Sequence, residues 1–160
     1  MPDIVVVSGD LLPESRTLRL ATLVGERLAV RRGDVPPVLI DVAELGPGLL
    51  TPGDEATSKA LLDVQDATLL IVASPARKGT YAGALKALLD QLPANALAGV
   101  VAVPIVTADI QPVADIAETF LARLLGDLGA DVVDFGLTAT GPELNDLAFV
   151  ADQYVNALRP

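Results

Sequence analysis

The feature that most constrains this chain is a rhythm. Short runs of apolar, mostly β-branched residues recur along it, and a stretch of helical period follows each one. Ile4 to Val7 (IVVV) holds no polar residue, and neither does Val100 to Val106 (VVAVPIV), while Thr68 to Ala73 (TLLIVA) opens on its single hydroxyl. Successive strand residues point to opposite faces, so runs without alternation require both sheet faces to be covered. Val132 to Phe135 reads as a shorter strand, and Val35 to Asp41 as a weaker one broken by Pro36-Pro37. The intervening helices are expected over Ser15 to Ala29, Asp54 to Gln65, Ala82 to Leu92, Pro112 to Leu128 and Asn145 to Leu158. In the first of these, Leu20, Ala21, Val24 and Leu28 form one apolar stripe. Val42 to Gly53, with Gly46, Pro47, Gly48, Pro52 and Gly53, reads as a loop.

Covered strands alternating with crossover helices specify an α/β chain with a parallel sheet between two helical layers. At 160 residues, one domain over 1–160 is expected. Five strands with small polar residues in the first strand-to-helix turn suit a flavodoxin-like three-layer sandwich, a five-stranded parallel sheet in the order 2-1-3-4-5. Ligands of such sheets bind at the carboxyl ends of the strands, which directs attention to the loops after the first, third and fourth.

Charge and composition narrow the ligand class. A formal net charge of −10 opposes nucleic acid and anionic membrane surfaces at long range, and two Tyr, three Phe and no Trp leave little for base stacking. The absence of Cys and His removes disulfides, thiolate nucleophiles, imidazole bases and the commonest zinc ligands. Met1-Pro2-Asp3 offers no positive leader region, and the longest apolar stretch, Ala96 to Ala108, is interrupted by Gly99 and Pro104, so a cytoplasmic protein is expected.

The first loop, Ser8 to Thr17 (SGDLLPESRT), runs directly into a helix. The Ser15 and Thr17 hydroxyls and the Arg16 guanidinium could hold a phosphate at that helix start, although Ser is also an ordinary N-cap and an Arg in a first turn is often simply solvated. It is neither a Walker loop nor a GxGxxG turn. The third-strand loop reads Ser74-Pro75-Ala76-Arg77-Lys78-Gly79-Thr80-Tyr81-Ala82-Gly83 and continues to Lys86. Gly79 and Gly83 would let backbone approach a planar ring closely; close helix-to-sheet packing is the plain alternative for Gly83, and an interface or core position for Tyr81.

Together these loops resemble the NADPH-dependent FMN reductase family, in particular the small two-component reductases that serve alkanesulfonate and methanesulfonate monooxygenases. The resemblance rests on Gly9 followed by Ser15-Arg16-Thr17, on Ala73-Ser74-Pro75, on Lys78, Tyr81, Gly83 and Lys86, and on Leu92 to Gly99. It implies FMN and NADPH as ligands. The flavin phosphate would lie against Gly9, Ser15, Arg16 and Thr17, and the isoalloxazine against Pro75, Ala76, Arg77, Lys78, Gly79, Thr80, Tyr81 and Gly83, with Thr107 beside it. Hydride would pass from nicotinamide to flavin without a protein acid or base, so no catalytic side chain is assigned. Reduced FMN would then leave for a flavin-dependent monooxygenase.

The chain departs from the family pattern at Asp10, Arg77 and Asp109, where a neutral residue, an aromatic and a Gly are usual. The two carboxylates are expected to weaken flavin binding, while Arg77 with Lys78 offers cations for the phosphates of NADPH. A flavodoxin-like electron carrier, a non-catalytic binding or assembly subunit, and a quinone or azo-compound reductase stay open on the same scaffold. A homodimer or homotetramer is expected from two broad apolar stripes, Leu85, Leu88, Leu89 and Leu92, and Phe120, Leu121, Leu124, Leu125 and Leu128.

Overall fold

The structure, a computed structural model, describes residues 3–158, so Met1, Pro2, Arg159 and Pro160, the ends of the expected 1–160 domain, lie outside it. Its central strands are β1 (Ile4–Ser8), β2 (Val38–Asp41), β3 (Leu69–Arg77) and β5 (Val101–Ala108), with β4 (Thr80–Tyr81) folding back on β3. The sheet is completed by β6 (Asp131–Val132) and β7 (Leu137–Thr140). The order is β2-β1-β3-β5-β6, with β7 also on β5. Among the described residues only the β3–β4 pair is antiparallel. This is the expected 2-1-3-4-5 sheet, with its last strand in two pieces.

Two cores follow from strand alternation. Val5, Val7, Leu70, Val72, Ala102 and Val106 face one side and pack on α3 (Glu55–Asp66), α4 (Gly83–Leu89) and α5 (Gln111–Asp127). Ile4, Val6, Leu69, Ile71, Val103 and Ile105 face the other and pack on α1 (Arg16–Arg32) and α6 (Leu147–Ala157). Each such Leu, Ile or Val contributes roughly 1.5–3 kcal/mol by leaving water. The helix α1 begins at Ser15, whose Oγ accepts from the Leu18 N–H at 3.2 Å, and ends at Gly33, whose φ of 71° suits glycine.

The fifth strand differs from the expected Val132 to Phe135. It pairs with β5 over Asp131–Val132, breaks, and resumes over Leu137–Thr140. The break has a cause in its neighbour. Val133 N–H donates to Ala102 O at 3.0 Å, so residue 102 turns its polar groups toward this edge, and residue 104, two further on, does the same. Residue 104 is Pro104, which has no N–H to give. Gly136 fits the gap, where a Cβ would meet Pro104 O at 2.6 Å.

The expected loop Val42 to Gly53 is partly helical. The Asp41 carboxylate caps the turn α2 (Val42–Leu45), accepting from Ala43 N–H at 3.3 Å, and Pro47 opens a 3₁₀ turn over Gly46–Leu50. The α4 stripe is also corrected: Leu85, Leu88, Leu89 and Leu92 are buried in the core, and Leu121 and Leu125 of α5 are likewise inside. None of these six is available to a partner. The apolar residues left on the α5 surface are Val113, Ile116 and Phe120.

Tyr154 ties α6 to the interrupted edge. Its hydroxyl donates to Phe135 O at 2.9 Å, and the two rings meet edge to face at 5.7 Å. Burial pushes the phenol above its ordinary 10.0, and the Glu118 charge adds to the shift. The folded protein thus holds this proton more firmly than the unfolded chain, a contribution present below pH ~10 and lost as pH rises further. Tyr154→Phe is expected to cost about 1 kcal/mol at neutral pH through the lost hydrogen bond. The difference from the native protein should shrink above pH ~10 in denaturant titrations; a gap constant across that range would contradict the coupling.

Candidate active site at the carboxyl ends of the strands

The sheet order brings the ends of β1, β3 and β5 side by side, with Ser8, Ala73 and Ile105 in register. Beyond β1, Gly9 N–H donates to Ala73 O at 2.8 Å, extending the ladder by one residue. A Cβ on Gly9 would overlap the Leu85 side chain, so this glycine is what lets α4 close against the first loop. Close packing, the alternative considered for Gly83, therefore belongs to Gly9. A Cβ at Gly83 would meet nothing within 4 Å, and the same holds at Gly79.

The first loop is organised by two carboxylates. Asp10, only 5% exposed, accepts from Leu12 N–H at 3.1 Å and from the Thr17 hydroxyl at 3.5 Å. Asp41, 9% exposed, accepts from Glu14 N–H at 3.1 Å across the loop. The Thr17 and Thr107 hydroxyls lie 2.9 Å apart, joining the start of α1 to the end of β5. Arg77 Nη2 stands 3.9 Å from the Asp10 carboxylate, a loose pairing at the cleft mouth that contributes little.

The third-strand loop is a hairpin. Arg77 pairs with Thr80 and Ala76 with Tyr81, and the two residues between, Lys78 and Gly79, have φ of 47° and 88°. Both central φ angles are positive, as in the primed turns that match strand twist. Ser74 fixes the base: its Oγ accepts from Ala82 N–H at 2.7 Å and donates to Pro75 O at 2.8 Å. Tyr81 is half-buried against the core. Lys86, one turn into α4, pairs with Asp90.

These pieces enclose a cleft of about 520 Å3. Of the residues singled out in the sequence, Ser15, Arg16, Thr17, Pro75, Arg77 and Thr107 line it. Gly9 lies beneath the loop, and Ala76, Lys78, Gly79, Thr80, Tyr81 and Gly83 lie on the hairpin and at the start of α4. The lining carries the guanidiniums of Arg16, Arg19 and Arg77 against the carboxylates of Asp10, Glu14 and Asp109, so its charges balance. The partners of Asp10, the bridge by Asp41 and the latch by Ser74 had no signal in the sequence beyond residue type: Asp41 and Arg77 arrive from other strands, and the contacts within each loop depend on how that loop folds back.

The fit to a flavin differs between the two ends. Around Gly79 and Gly83 the backbone is open, as a planar ring needs. At the start of α1, helix geometry leaves the Arg16 and Thr17 N–H groups without intrahelical partners and favours an anion, while the Thr17 hydroxyl and the Leu12 N–H of the same loop already donate to the Asp10 carboxylate.

Comparison with known proteins identifies the family. The family described as NADPH-dependent FMN reductase matches residues 2–134. The NADH-dependent FMN reductase SfnF of Pseudomonas putida is 30% identical over 142 residues, covering 86% of this chain and 76% of that protein. An FMN reductase (NADPH) of Pseudomonas aeruginosa is 38% identical over 102 residues, 59% of this chain and 53% of its own length. Among solved structures, the apo form of the NADH:FMN oxidoreductase EMOB superimposes with a TM-score of 0.81 at 27% identity, over 99% of this chain and 91% of that one. A family match over residues 2–134, with a relative 30% identical over 86% of this chain, places this chain in the NADPH-dependent FMN reductase family.

Proposed function

We propose that FMN is a dissociable substrate of this NAD(P)H:FMN oxidoreductase, and that the reduced flavin serves a flavin-dependent monooxygenase in the cytoplasm. The flavin phosphate end lies toward Ser15, Arg16 and Thr17, with Gly9 shaping the loop and Thr107 closing it. The ring end lies along Pro75 to Tyr81 and over Gly83. When bound, the flavin accepts hydride from the nicotinamide; the chain's residues orient the two rings and exclude water.

The observation that carries this reading is the charge balance of the cleft, three guanidiniums against three carboxylates, which leaves no net attraction to retain a phosphorylated cofactor. Desalting after loading with FMN should strip the flavin, and NAD(P)H oxidation should then saturate with added free FMN. Flavin that co-elutes stoichiometrically, with turnover in the absence of added FMN, would instead favour a prosthetic group, as a quinone or azo reductase or an electron carrier requires.

Lys78 at the hairpin tip and Arg77 beside it form the positive rim for the dinucleotide phosphates. Replacing both with Ala should raise KM for NADPH about two- to fivefold more than KM for NADH, the range of an exposed charge pair; equal changes would remove the pair from recognition of the 2′-phosphate. Homo-oligomerisation, if it uses a helix face, uses Val113, Ile116 and Phe120 on α5, and a monomeric mass in light scattering would refute it.

A further inference from the structure

We infer that this site reads its flavin by the ring and side chain and gains little from the terminal phosphate, so that riboflavin serves as well as FMN. The inference rests on the flavin reading above and concerns how the first loop has been rebuilt. A loop that captures phosphate presents unengaged N–H and O–H donors converging on one point. Here the Arg16 and Thr17 N–H groups at the start of α1 stay open to an anion, but the other donors of the loop are already taken by the protein's own side chains. Leu12 N–H and the Thr17 hydroxyl donate to Asp10, and Glu14 N–H donates to Asp41. The Thr17 oxygen is shared with Thr107 at 2.9 Å, so a phosphate would have to compete for that hydroxyl as well. Leu18 N–H, in the first turn of α1, is taken by Ser15 Oγ.

Two buried carboxylates thus act as built-in anions of the loop. A phosphate arriving with a charge near −2 would face Asp10 across the cleft and find Arg77 leaning toward that carboxylate. The ring end is different in kind: open backbone at Gly79 and Gly83 carries no charge to match, and it is indifferent to whether the distal hydroxyl of the flavin is phosphorylated.

The test is a pair of fluorescence-quenching titrations, riboflavin and FMN, on the native protein and on Asp10→Asn, which keeps the acceptor for Leu12 N–H and removes the charge. The native protein should bind the two flavins with Kd values within about threefold of each other, and Asp10→Asn should tighten FMN by at least about tenfold while moving riboflavin less than about twofold. FMN binding the native protein at least about tenfold more tightly than riboflavin overturns the inference, and needs no variant to do so. Equal tightening of both flavins by Asp10→Asn also overturns it, since the residue would then act through loop shape. Quenching of neither flavin is a separate result that removes the flavin reading itself, and this inference with it.

Discussion

Gly83→Leu is expected to lower flavin affinity by at least about a hundredfold, equivalent to roughly 2.8 kcal/mol, without destabilising the fold. The two parts of this expectation come from the same observation. Gly83 is the first residue of α4, and a Cβ there meets nothing within 4 Å, so the fold has room for a larger residue. Leu in place of Gly favours helix by up to ~1 kcal/mol, so the melting temperature should stay level or rise. The space that a leucine would occupy is the space a ring lying on the hairpin needs. Titration with FMN and thermal melting of the same sample separate the effects; unchanged affinity would move the ring away from α4.

Gly9→Ala should do the reverse, damaging the fold first. Its new Cβ would overlap Leu85, which is wholly buried and belongs to the core beneath α4. Either the first loop or the helix must shift, and overpacking of this kind costs about 1–3 kcal/mol or more. The nearest atom is the Leu85 Cβ itself, so Leu85→Ala should not rescue Gly9→Ala. Equilibrium denaturation of the single and double variants checks this; a stable Gly9→Ala, or rescue by the shortened side chain, would contradict the packing described.

What the sequence reveals about this molecule is uneven for physical reasons. β1, β3 and β5 were legible because strands covered on both faces cannot alternate, and Ile4 to Val7 and Thr68 to Ala73 advertise that directly. The last strand was not, because its interruption is caused by Pro104 in the neighbouring strand rather than by its own residues. The Leu stripe of α4 looked like an interface because it is broad. Breadth here reflects a short helix enclosed between the sheet, the first loop and the segment from α2 to α3, so that Leu85, Leu88 and Leu89 are all inside. In the site, Ser15, Arg16 and Thr17 were found through their position at a helix start. Asp10 was visible as an intruding charge, but its engagement with Leu12, Thr17 and Arg77 depends on how the loop folds back, which residue type alone does not encode.

The most direct test of the central claim is where flavin touches the chain. Backbone amide shifts recorded by NMR during an FMN titration should be confined to the loops from Gly9 to Thr17 and from Ser74 to Gly83 and to the end of β5 near Thr107, with Gly79 and Gly83 among the largest. The separate cavity at the opposite ends of the strands, lined by Leu28, Arg31, Thr68 and Val133, should stay silent. Shifts centred on that cavity, with Gly79, Gly83 and Thr17 unmoved, would contradict the assignment of the flavin site.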